Sequence, residues 1–241
     1  ATMKAQILKT LAALALITTS ALAQETPMEN HTASYIAMPA AEGQTEAFAK
    51  FLAGAAPIVA DTEPGTVLWF ALQADDTLAI FDIFVDEEAR NAHFSGAVAA
   101  ALNQNADALV AGGWEDGVFA NINNSDVLSV KEPVDLYSAT TATYITLEAA
   151  PGRGPELAAL LTAAGPIVGE TEPGTLFWAA LQIDETSFAI FDIFSNNAGR
   201  EAHFAGQVAG LLKERAAELV AGGWDDGVVA NVHNFDILAI K

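Results

Sequence analysis

Two histidines occupy the same place in two similar stretches, His93 in Arg90-Asn91-Ala92-His93-Phe94 and His203 in Arg200-Glu201-Ala202-His203-Phe204. A neutral imidazole can take the proton of a phenol, leaving an electron-rich ring able to give an electron to O2, which is the step that cofactor-free oxygenation needs. The commoner use of such a residue is a boundary histidine bonded to backbone or water, and both readings stay open at this level. Eleven residues before each histidine an acid interrupts an apolar run: Asp82 in Ala79 to Phe84 and Asp192 in Ala189 to Phe194. A carboxylate there costs free energy unless it is solvated, paired or hydrogen-bonded. Either acid could orient its histidine or raise its basicity, but the favoured expectation is a structural ion pair with Arg90 or Arg200.

Other candidates are less specific. Trp69 and Trp178 within apolar strands, and Trp114 and Trp224 after a helix, could wall an aromatic substrate pocket, although core packing is the more frequent use. Asn121 and Asn231, with Asn124 and Asn234 nearby, could bond a ligand carbonyl or simply close turns. No metal site is expected, because four scattered histidines and no local ligand spacing fall short of one. There is no cysteine, which excludes thiol nucleophiles and thiolate metal centres.

The elements that must position these residues occur twice. Glu63-Pro64-Gly65-Thr66 returns as Glu172-Pro173-Gly174-Thr175, a turn in which Pro fixes φ and Gly is free to leave the usual range. Apolar strands follow, Val67 to Gln73 and Leu78 to Phe84 in the first copy, joined by a hairpin at Ala74-Asp75-Asp76-Thr77. Ahead of the turn, Phe48, Phe51, Leu52, Ala55, Ile58 and Val59 recur at helical spacing, with Pro57 expected to kink or end the helix. Beyond the strands, Asp86-Glu87-Glu88 opens one helix whose stripe is Phe94, Val98, Leu102, Ala106 and Leu109, closed by Gly112-Gly113. About 52 of 97 aligned positions are identical between the copies.

Two βαββαβ copies make an α+β chain of two ferredoxin-like repeats, 33–131 and 142–241, joined by a linker over 132–141. A ferredoxin-like sheet leaves one face bare, yet the strand around Trp69 is apolar on both sides. The two sheets are therefore expected to pack face to face as one single-chain α+β barrel with four helices outside. Such an intramolecular pseudo-dimer implies a monomer.

Hydrophobic residues make up 52% of the chain and mean hydropathy is +0.30, so there is ample core. Lys4 and Lys9 precede an apolar run from Leu11 to Ile17 and then Ala21-Leu22-Ala23, the pattern of a secretory signal over 1–23 followed by a polar leader over 24–32. This predicts a periplasmic or secreted protein with no stable membrane insertion once the signal is removed. The formal charge of −21 becomes −23 without Lys4 and Lys9, which makes nucleic acid an unfavourable partner.

Glu172-Pro173-Gly174-Thr175-Leu176, the strand Phe188 to Phe194 and Ala198 to Phe204, in that order, resemble the antibiotic biosynthesis monooxygenase (ABM) domain of the dimeric α+β barrel superfamily. The resemblance covers nearly all of both repeats and implies a barrel usually built from two separate chains. It also implies oxygenase activity without metal or flavin on a small aromatic or quinol-type substrate, with His93 and His203 as bases. Haem-degrading members carry a tryptophan where His93 and His203 stand, and their haem-ligating histidine would fall near Asn103 and Lys213, so haem degradation is not expected. A non-catalytic periplasmic binding protein for a small hydrophobic ligand, and a structural scaffold, are the alternatives.

Overall fold

In the computed structural model, residues 28–241 are described; the expected signal and the first four residues of the leader, 24–27, lie outside the described residues. Strand β1 (Thr32–Pro39) sends Ala33 and Tyr35 into one buried cluster and Ile36 and Met38 into another, the alternation that a two-residue period imposes. Helix α1 (Thr45–Thr62) buries Phe48, Leu52, Ala55, Ala56 and Val59. Pro57 does not end it. A proline inside a helix costs about 3 kcal/mol, and several apolar side chains each contribute roughly 1.5–3 kcal/mol by burial, so packing carries the helix on to Thr62. β2 (Thr66–Ala74) and β3 (Thr77–Phe84) form the expected hairpin, with Asp75 at its tip in a left-handed conformation (φ 50°).

The single long helix expected next is two helices, α2 (Glu87–Phe94) and α3 (Ala97–Leu109), broken at Ser95-Gly96. Gly112 and Gly113 have φ of 86° and 65°, the left-handed turn the glycine pair implied. β4 (Ile122–Lys131) completes the repeat. The second copy follows as β5 (Thr141–Glu148), α4 (Gly154–Thr171), β6 (Thr175–Gln182), β7 (Ser187–Phe194), α5 (Asn197–Phe204), α6 (Gln207–Leu219), the short α7 (Gly223–Gly227) and β8 (Val232–Ile240).

Closure of the barrel is by hydrogen bonds, not only by face-to-face packing. The strand order is β1-β3-β2-β8-β5-β7-β6-β4, returning to β1. β4 pairs with β1 through Ile122–Asp126 and then crosses to pair with β6 through Asp126–Lys131. β8 likewise serves β5 first and β2 afterwards. Each last strand thus belongs to both repeats, and no sheet edge is left open.

Inside the barrel, Tyr35 stacks on Tyr144 with ring centroids 3.7 Å apart, and Phe81 on Phe191 at 3.8 Å. Each residue meets its own repeat counterpart, so both pairs lie at the pseudo-twofold axis. Such stacks add about 0.5–1.5 kcal/mol each beyond area burial. The other face of the sheet is covered by the helices, and the candidate residues lie on that face. Among the described residues no helix is long and apolar enough to cross a membrane.

Candidate active site: a buried carboxylate–histidine–carboxylate cluster in each repeat

Three elements bring the first cluster together. The α1 C-terminus and the Pro64-Gly65 turn present Glu63, β3 presents Asp82, and the last turn of α2 presents His93. His93 Nδ1 lies 2.5 Å from Glu63 Oε2, and Nε2 lies 3.3 Å from Asp82 Oδ2. Glu63 Oε2 also accepts the Thr66 hydroxyl at 3.0 Å. Exposure is 5% for His93, 8% for Glu63 and 1% for Asp82, so the cluster is withdrawn from bulk water. In the second repeat His203 Nδ1 bonds Glu172, Nε2 lies 3.1 Å from Asp192 Oδ2, and Thr175 donates to Glu172 at 3.0 Å.

The break between α2 and α3 serves this contact. A Cβ on Gly96 would stand 2.9 Å from Glu63 Oε1, and one on Gly206 would stand 2.5 Å from Glu172 Oε1. Only glycine lets the helix start approach the carboxylate so closely.

Burial opposes charge on His203, but Asp192 and Glu172 outweigh it and hold the imidazolium up to about 10. His93 is likewise raised, against burial, by Glu63 and Asp82. Burial pushes Asp82 up to about 7 even though His93 and Arg90 pull it down, and Asp192 is raised for the same reason. At neutral pH His203 is therefore charged, His93 is shifted in the same direction, and both rings are doubly engaged. Neither has a free ring nitrogen with which to act as a simple base.

The favoured aspartate–arginine pairs do not form as direct contacts. Arg90 Nη2 lies 3.8 Å from Glu87, and Arg200 donates to Asn197 and to the Ala142 carbonyl. Histidine takes the aspartate instead: its Nε2 lies 3.3 Å from Asp82 in the first repeat and 3.1 Å from Asp192 in the second, while the Arg200 guanidinium is spent on Asn197 and the Ala142 carbonyl. Glu63 and Glu172, read from sequence only as turn residues, are the partners that reading missed; their identity in both copies beside a buried helix end was the available signal.

Trp69 and Trp178 are fully buried beneath the helices, directly opposite Asp82 and Asp192 in register, so they pack the core and do not wall an open pocket. Asn121 and Asn231 spend their amide groups on the carbonyls of Asp116 and Gly117 and of Asp226 and Gly227, closing turns and not facing a ligand. Asn124 and Asn234 do more. Ser34 donates to Asn124 at 2.6 Å and Thr143 to Asn234 at 2.9 Å. Since Ser34 is also opposite Asp82, and Thr143 opposite Asp192, a polar row crosses four strands: Trp178, Asp192, Thr143, Asn234, with Trp69, Asp82, Ser34, Asn124 as its copy.

Two openings flank these rows. A cleft of about 390 Å³ beside the first cluster is lined by Glu63, His93, Gly96, Asp86 and Glu88 among others. A pocket of about 450 Å³ in the second repeat is walled by Phe204, Trp224, Val228, Val229 and Val232, with Asn234 on its wall. Lys213 Nζ stands 5.7 Å over the Trp224 ring. Among the described residues no group of His, Asp and Glu is arranged to hold a metal ion; in each cluster the carboxylates sit on opposite ring nitrogens and do not converge.

No protein-family model and no curated protein matches the chain. Solved structures do. One from Fusobacterium nucleatum, described as a "putative monooxygenase", superposes with a TM-score of 0.70 at 15% identity, over 88% of this chain and 94% of that one. A second of the same description, from Lactobacillus acidophilus, gives 0.68 at 10% identity over 88% and 95%. A Nitrosomonas europaea protein of unknown function is 36% identical over 94% of its own length but only 43% of this chain, with a TM-score of 0.39. Matches this long in the first two span both repeats, so the α+β barrel seen here is a fold that single chains of that description also adopt.

Proposed function

We propose that this chain, an α+β barrel of the fold described above, is an ABM-type monooxygenase for a small, neutral phenol or quinol. The observation that carries the reading is the polar row of the second repeat, which begins at Asn234 on the wall of the Phe204–Trp224 pocket and ends at the buried Asp192–His203–Glu172 cluster. The aromatic walls suit a flat apolar ring, and the amide suits its oxygen. The cluster, not a free imidazole, takes the phenolic proton, which reaches Asp192 by way of the Thr143 hydroxyl that stands between it and Asn234: a carboxylate whose proton affinity is raised by burial is a stronger base than one at the surface. In the first repeat, the acidic cleft beside Glu63 and His93 gives the corresponding cluster a side on which to exchange protons with water.

The reaction balances without an outside reductant. A phenol with a free para C–H plus O2 gives a para-quinone plus water; the substrate loses four electrons, one oxygen atom enters the ring, and the other leaves as water with the two protons released. Oxygen uptake with a panel of phenols and quinols tests this. At least one is expected to be consumed, and Asp82→Asn with Asp192→Asn should slow it about 10²–10⁴-fold, the usual worth of a positioned acid or base. No uptake with any compound, or equal rates in wild type and variant, overturns the reading. A second reading, ligand binding without turnover, is favoured by the double engagement of each histidine, which makes the cluster a brace between turn, strand and helix. Quenching of tryptophan fluorescence by phenols with no oxygen uptake would select it.

A further inference from the structure

The crossing of β4 and β8 puts a lysine from each repeat against the turn of the other. Lys241, just past β8, donates its backbone N–H to Trp69 O at 2.8 Å, and its ammonium donates to the carbonyls of Glu63, at 2.8 Å, and Thr66. Lys131, the last residue of β4, is buried and donates to the Glu172 carbonyl at 2.6 Å. These are the first and last residues of the Glu-Pro-Gly-Thr turn in the first repeat and the first residue in the second. Two basic positions are kept in both copies, Arg90/Arg200 and Lys131/Lys241, with no other outside the histidines, so the lysine is as regular a feature of the repeat as the arginine.

We propose that Lys241 and Lys131 are positioning residues acting across the repeats: each clamps the turn of the repeat it does not belong to and thereby holds Glu63 or Glu172 against its histidine, so that neither repeat carries a complete site. A charged donor on a backbone carbonyl is a strong tie: it holds both ends of the turn in the first repeat and the glutamate end in the second, which limits how far either Glu carboxylate can swing away. Charge points the same way: each lysine ammonium sets a positive charge beside the glutamate whose turn it holds, Lys241 beside Glu63 and Lys131 beside Glu172. The groups facing His93 are Glu63 from the turn, Asp82 from β3 and Lys241 from the end of β8, with Arg90 of α2 acting on Asp82. Those facing His203 are Glu172 and Asp192, with Arg200 acting on Asp192 and Lys131 on Glu172.

The inference rests on the proposed function only in treating the cluster as the working centre; its test needs no substrate. Imidazole ¹⁵N shifts of the four histidines are followed against pH in the full chain, in wild type, Lys241→Met and Lys131→Met. Clamping predicts that Lys241→Met releases Glu63, so that His93 holds its proton at least tenfold more weakly while His203 is unmoved, and that Lys131→Met does the reverse. A purely through-space effect has the opposite sign, because deleting a cation strengthens proton binding at His93. That outcome, an unchanged titration, or a change in the histidine of the same repeat as the lysine overturns the proposal. If Lys131→Met does not fold, Lys131→Gln, which keeps one donor, replaces it, and an unmoved His203 there alongside an unmoved His93 in Lys241→Met is equally fatal. Failure of oxygen uptake with the crosswise titration intact would remove the oxygenase reading and leave this one standing.

Discussion

The two repeats agree at about 52 of 97 positions, yet the two seams where their last strands cross are built differently. At the β4–β6 seam, Gly165 of α4 lies directly on β4: its N–H donates to Ser129 Oγ at 3.0 Å, and a Cβ there would stand 2.1 Å from that oxygen and 2.6 Å from Val130 O. At the β2–β8 seam the equivalent residues are Ala56 and Ala239, and the methyl groups keep helix and strand apart. Met28 is buried against the first seam, whereas its counterpart Tyr137 is fully exposed beside the second. Ile237, Leu238, Ala239 and Ile240 of β8 are left only partly buried, along a groove of about 690 Å³. One glycine–serine pair against one alanine–alanine pair thus decides how closely a helix seats on a shared strand. The clusters, by contrast, are nearly superimposable, so the halves differ in their joinery and agree in their chemistry.

The agreement can be broken first. Replacing His203 by Leu strands Glu172 and Asp192 with no cation between them, and removal of one partner from a buried charged set costs about 3–5 kcal/mol. His93→Leu should cost a similar amount, read as the drop in unfolding free energy in urea; a large inequality would mean that the clusters are not equivalent after all. The difference between seams comes next. Gly165→Ala should lose about 1–3 kcal/mol by overpacking, and adding Ser129→Ala, which recreates the pair of the other half, should recover part of that loss. No coupling in the double variant would show that serine and glycine do not act together.

The remaining comparison is in pH, where the effect is spread over several pH units. A group whose folded pKa is raised contributes stability that is complete below its unfolded value and is lost as pH climbs through the folded one. For His203 that window runs from the ordinary histidine value of roughly 6.5 to about 10. For Asp82, raised in the same direction, it runs from the ordinary carboxylate value of roughly 3.9 to about 7. Stability should therefore fall with rising pH across both windows. His203→Gln should flatten the alkaline part of the urea-midpoint curve and Asp82→Asn the acid-to-neutral part. Identical curves in wild type and variants would leave the decline to the general repulsion of a chain of charge −21.

Much of this was legible beforehand. Repetition, the two periods and the doubly apolar strand at Trp69 were enough for two βαββαβ units closed on each other. The helix break at Gly96 was not, because Val98 to Leu109 continues a helical rhythm that hides a two-residue interruption; the reason for the break is Glu63, thirty-three residues upstream. Pro57 misled for the converse reason, since a local rule was overridden by tertiary burial. At the site, His93 and Asp82 could be singled out by type and placement, but their mutual contact stood only as the less favoured alternative to an arginine pair. Periodicity says which face a residue takes, not which neighbour it meets there. Arg90 was the nearer cation in sequence, His93 the nearer one in space.

The crossing of the last strands also bears on how the chain reaches this state. β4 meets β6 through pairs such as Asp126 with Gln182, while β8 meets β2 through pairs such as Phe70 with Ile240. The second loop is about three times longer, which adds about 1 kcal/mol of closure entropy, and it must be closed at the seam with the looser cover. The β2–β8 edge is therefore expected to zip last during folding and to open first in the native state, which hydrogen exchange of the Phe70 and Ile240 amides against those of Asp126 and Gln182 would check, and Lys241, the latch on the first cluster, sits at its far end.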